Sequence, residues 1–111
     1  MNDEVKKYLH DIYKAILQIE EYIGNEKVFE RFRTNRMLKQ AVERNIEIIG
    51  EAMNKALQLE FALEVTSGRK IVNIRNLLIH AYDSVDDTRV WEIIVVHIPL
   101  LKKEIEKLLK D

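Results

Sequence analysis

Arg75, Asn76 and His80 are the residues of this 111-residue chain whose types and spacing suit chemistry on a phosphate. Arginine offers phosphate oxygens a planar fork of donors, and histidine trades protons near neutral pH. On a helix, at about 100° per residue, Ile71, Ile74, Leu77, Leu78 and Ala81 gather within about 120° and define a core face. Arg75, Asn76 and His80 fall on the other side, with Asn73 beside His80 and Asn76 one turn below it. Tyr82 falls almost above Arg75, two turns along. The surrounding stretch 65–82 carries Arg69, Lys70 and Arg75 and no acid, unlike the Lys/Glu mixture of an ordinary solvent face.

Few other residues compete for a chemical role. The absence of Cys removes thiolate catalysis, disulfide frameworks and Cys-ligated zinc. His10 and His97 stand far in sequence from His80, and no His/Asp/Glu spacing resembles a zinc or calcium loop. The pairs Glu20–Glu21 and Asp86–Asp87 are adjacent, so on a helix they face different directions. Gly24, Gly50 and Gly68 are isolated and form no phosphate-cradling loop, so no cofactor is expected.

The elements that must hold the motif read as helices throughout. Three Gly and one Pro cannot punctuate a many-stranded sheet, which excludes an all-β fold. Asn2 or Asp3 can cap a first helix that reaches Ile23, with Gly24 past its end. Val5, Leu9, Ile12, Ile16, Ile19 and Ile23 form its buried stripe. A short turn or helix around Phe29 and Phe32 leads to a second long helix starting near Thr34 or Asn35. Gly50 inside it costs about 1 kcal/mol relative to Ala, so it is expected to mark close helix–helix packing. A third helix begins at Ser67–Gly68 and reaches about Tyr82; residues 83–86 then turn, with Asp86 capping the last helix. Pro99 should kink or split that helix. The expected product is a single all-α domain over 1–111, an antiparallel bundle of four to five helices. Trp91 and the apolar residues of 93–101 exceed one buried stripe, so this helix is either central to the bundle or half of a subunit interface, and the small size of the chain favours the interface.

Net charge is −1, but residues 27–44 carry +4 and 65–82 carry +3, so an anionic partner has two basic segments to meet. No stretch is long and apolar enough for a membrane span, and the N-terminus has no signal-peptide core, which makes the cytoplasm the expected address.

The segment Arg75-Asn76-x-x-x-His80-x-Tyr82 resembles the signature of the HEPN superfamily, in the spacing used by the HepT-like toxin family. Glu47-Ile48-Ile49-Gly50-Glu51-Ala52 is similar to that family's preceding helix, Val85-Asp86 with Val90-Trp91 to its next segment, and Ile98-Pro99-Leu100 to its proline break. The resemblance implies an HEPN-like bundle acting as a metal-independent endoribonuclease, the toxin of a toxin–antitoxin pair, working as a homodimer whose motifs line one cleft. It also implies a minimal nucleotidyltransferase antitoxin that transfers AMP onto Tyr82. His80 would then act as base on the ribose 2′-OH and Arg75 would stabilise the phosphoryl transition state. Asn76 would orient His80 or donate to phosphate. Arg31, Arg33, Arg36, Lys39 and Arg44 would hold RNA or the antitoxin. The alternative is a catalytically silent HEPN module that binds a nucleotide or docks the nucleotidyltransferase.

Overall fold

The computed structural model describes the backbone of residues 1–80 and 86–110, and their side chains except those of 74 and 77–80. Helix α1 (Asp3–Ile23) starts at Asn2, whose side chain accepts from the Glu4 and Val5 amides at 2.8 and 3.1 Å. Of the two capping residues offered by the sequence, the outer one is used. The helix stops at Gly24, whose φ of 78° suits a residue without a Cβ. Helix α2 (Phe29–Thr34) is a single short piece that buries Phe32. Helix α3 (Arg36–Leu59) is capped by Asn35, which accepts from Leu38 N at 3.0 Å. Helix α4 (Thr66–His80) carries the motif, and α5 (Asp87–Glu92) is capped as expected by Asp86, through Arg89 N at 2.9 Å. Helix α6 (Ile98–Lys110) closes the chain.

The helices run antiparallel to their neighbours. Gly68 and Arg75 of α4 meet Met53 and Gly50 of α3 in that order, so the two chains run in opposite directions. Tyr13 and Glu20 of α1 likewise reach Glu106 and Lys102 of α6. The core gathers Leu9, Ile12, Ile16 and Ile19 from α1, Ile46, Ile49 and Met53 from α3, Ile71 from α4, and Ile98, Leu101 and Ile105 from α6. Each such side chain contributes on the order of 1.5–3 kcal/mol by leaving water. The surface ion pair Glu20–Lys102, at 2.9 Å, contributes at most about 1 kcal/mol. The all-α bundle read from the sequence is the observed fold.

As expected near Pro99, the last helix is divided, into α5 and α6. Between α5 and α6 the chain makes a π turn over Ile93–His97, and the Ile98 amide bonds Ile93 O, five residues back. The wider turn makes room for a ring that would otherwise collide with a carbonyl of the preceding turn. The apolar excess of this region is partly consumed inside the chain. Ile93, Ile94, Ile98 and Leu101 are buried, and Trp91 packs on Phe29 and Phe32 with ring centroids 5.7 and 5.5 Å away. Val96 and Leu100, one turn apart, stay exposed. No helix among the described residues is long and apolar enough to cross a membrane.

Candidate active site

The N-terminus of α4 is held from across the bundle. Glu104, on α6, accepts from Ser67 N at 3.2 Å and faces the Thr66 and Gly68 amides as well. These are among the amides that have no partner within the helix, and a carboxylate there also meets the positive end of the helix dipole. Burial raises the Glu104 pKa, outweighing the amide bonds that lower it. A folded pKa above the unfolded one gives stability that is fully present below the ordinary 4.5 and lost as pH rises through the raised value. Glu104→Gln should therefore flatten the acid side of the stability profile while keeping an acceptor. Glu104→Ala should cost about 1 kcal/mol, as loss of a cap does. Thermal melts from acidic to neutral pH check both; an alanine variant that melts like the parent would deny the cap its role.

Further along, α4 lies against α3 at Gly50. A Cβ placed on Gly50 would sit 2.4 Å from Arg75 Cβ, 2.7 Å from its Cγ and 3.2 Å from its Cδ. The arginine stem therefore crosses the helix where the one missing side chain leaves a slot. This is the close packing expected of Gly50, and it has a specific occupant. Arg75 is half-buried there rather than lying free on a solvated face. Its Nη1 donates to Asn76 Oδ1 at 3.0 Å, while its Nε is buried without a hydrogen-bond partner. An orphaned buried N–H is a donor that a further oxygen, from water or a ligand, would satisfy. Asn76 is exposed, and its observed contact is with Arg75.

His80 is the last residue of α4; its side chain, like Tyr82 and the turn expected at 83–85, lies outside the described residues. Arg36, Lys39, Glu43 and Gly50 recur at helical spacing along the side of α3 that meets α4. Lys39 bonds Asp87 at the start of α5, at 3.2 Å. Glu43 sits beside that pair with its pKa raised, chiefly by burial; Lys39 opposes the rise, and Asp87 and Glu47 add to it. The basic segment thus divides. Arg33 is held in a two-pronged bond to Glu30, at 2.8 and 2.9 Å, and Arg44 pairs with Glu47 at 3.4 Å. Arg31 and Arg36 are exposed. Two contributors escaped the sequence reading. Glu104 gave no signal, being 37 residues from the amide it caps. The second is the α3–α4 connection, where exposed Phe61 stacks under Arg69.

Comparison with known proteins gives a consistent result. The profile of the family described as ribonuclease HepT-like matches residues 12–108. A protein of Methanocaldococcus jannaschii, named as a gamma-glutamylcyclotransferase and inferred RNase, is 39% identical over the whole of this chain, which spans 50% of that protein's length. An inferred RNase of the same organism is 35% identical across 97% of this chain and 89% of its own. A probable ribonuclease HepT of Thermococcus cleftensis is 40% identical across 95% and 96%. No solved structure matches.

Proposed function

Because the chain belongs to the HepT-like ribonuclease family, we propose that it is a metal-independent endoribonuclease, the toxin of a toxin–antitoxin pair. The observation that carries this reading is the seating of Arg75 in the Gly50 slot, with an unpartnered Nε, on the helix that ends at His80. His80 removes the proton from a ribose 2′-OH, and that oxygen attacks the adjacent phosphorus. The P–O5′ bond breaks, leaving a 2′,3′-cyclic phosphate on one fragment and a 5′-OH on the other. Arg75 stabilises the negative charge that builds on the non-bridging oxygens, and Asn76 holds the guanidinium in place. The leaving oxygen needs a proton at the same moment, which His80 of a second copy supplies across a homodimer. Exposed Val96 and Leu100 offer apolar surface for that pairing. A minimal nucleotidyltransferase antitoxin silences the site by transferring AMP to Tyr82, which brings a phosphate anion to the place of the substrate's own. Arg31 and Arg36 extend the cationic surface toward RNA or the antitoxin.

One assay tests the reading. Purified protein incubated with total RNA in EDTA is expected to cleave it, leave 2′,3′-cyclic phosphate ends, and spare DNA, which lacks the attacking hydroxyl. Addition of the cognate nucleotidyltransferase and ATP should add AMP mass and stop cleavage, whereas Tyr82→Phe should gain no mass and stay active. Strict dependence on magnesium would sink the mechanism, and silencing of Tyr82→Phe would remove the modification from it.

A further inference from the structure

We propose that Phe61 and Arg69 form a base-stacking subsite for single-stranded RNA, from which the strand runs along the exposed stripe of α4 to His80. The proposal rests on the ribonuclease reading but assigns residues outside the motif. Phe61 is 77% exposed in the connection between α3 and α4. A single exposed apolar side chain needs no explanation by itself. This one is held in place: the Arg69 guanidinium lies 4.6 Å from the ring centroid and donates through Nη2 to Phe61 O at 2.6 Å. The arginine thus fixes both the ring and its backbone, covers one face with a cation, and leaves the other open. An aromatic face beside a cation accepts any base by stacking and draws the attached phosphate, with little regard to sequence.

The second observation is the polar stripe that Arg69 begins on the helix. Lys70, Asn73 and Asn76 are exposed on α4, and Arg69, Asn73 and Asn76 repeat at the helical period. Continued by four residues, that period reaches His80. The stripe bears cations and amides, and 65–82 holds no acid to repel a phosphate backbone. From Arg69 to His80 the helix rises about 16 Å, the reach of a few nucleotides. Phe61 therefore stacks a base a few nucleotides from the scissile phosphate, so short substrates that end before it lose its contribution.

The experiment uses single-stranded RNA carrying 2-aminopurine, whose fluorescence falls on stacking, with binding read in the His80→Ala protein and cleavage in the otherwise unaltered one. Phe61→Ala is expected to weaken binding roughly tenfold. It should raise KM by a similar factor at unchanged kcat and abolish the quench, with Phe61→Trp restoring all three. Circular dichroism confirms that the variants fold. Equal binding by Phe61→Ala and the parent would overturn the proposal, as would a defect confined to antitoxin binding, which would make Phe61 a protein contact. Quenching without any cleavage by the parent would leave the subsite standing and remove the ribonuclease reading instead.

Discussion

His80→Ala and Arg75→Ala are each expected to abolish measurable RNA cleavage while leaving helicity and Tm close to those of the parent. Loss of a general base costs about 10²–10⁴ in rate, and loss of a preorganised donor to developing negative charge about 10²–10³. The stability cost should be far smaller. His80 ends its helix, and among the described residues the buried anchors of α4 are Val65 before it and Ser67, Gly68 and Ile71 in its first turns. Arg75→Ala removes a half-buried stem and strands the Asn76 amide, which is exposed and can turn to water, so about 1 kcal/mol is at stake. Cleavage assays paired with thermal melts separate the possibilities. Collapse of the fold in both variants would return the two residues to a structural role, and cleavage by either would remove it from the chemistry.

A comparably large effect is expected at a residue without a side chain. Gly50→Val should reduce cleavage at least a hundredfold even though glycine is a poorer helix former than valine. The added Cβ meets the Cβ and Cγ of Arg75, the part of that side chain fixed to its own helix, so α4 must move away from α3 or the guanidinium must leave its place. Overpacking of this kind costs about 1–3 kcal/mol, and displacement of a donor by 1 Å costs on the order of a hundredfold in rate. Gly68 provides the control. A Cβ there would meet the Cε and Sδ of Met53 at 2.6 and 2.9 Å, the end of a flexible thioether that can swing aside. Gly68→Ala should therefore keep most of its activity. If Gly50→Val cleaves as well as the parent, the slot does not aim the arginine.

How much of this was legible in the sequence depends on how local the cause is. The α1 stripe from Val5 to Ile23, the caps at Asn2, Asn35 and Asp86, and the stop at Gly24 were all readable, because each is decided within a turn or two of helix. Gly50 was readable as a place of close approach, but the wheel has no term for what approaches, and it placed Arg75 among free polar residues when its stem is in fact packed. Glu104 at the start of α4 is a tertiary contact with no periodic trace. Arg31, Arg33, Arg36, Lys39 and Arg44 looked alike in sequence, yet their neighbours divide them. Glu30, Asp87 and Glu47 engage Arg33, Lys39 and Arg44, which weakens their hold on any phosphate.

The π turn at Ile93–His97 means that this segment must keep its length rather than its composition. One residue more than an α-helical turn requires has been threaded into it, and that residue rotates everything before it by about 100° relative to α6. Trp91, packed on Phe29 and Phe32, lies on the part of the helix that this rotation turns. Exchanges among Ile and Val along 93–96 leave the phase of the helix untouched. Losing or gaining a single residue there resets it, like a gear meshed one tooth away. Variation that spares function should accordingly alter letters in this stretch and preserve their number.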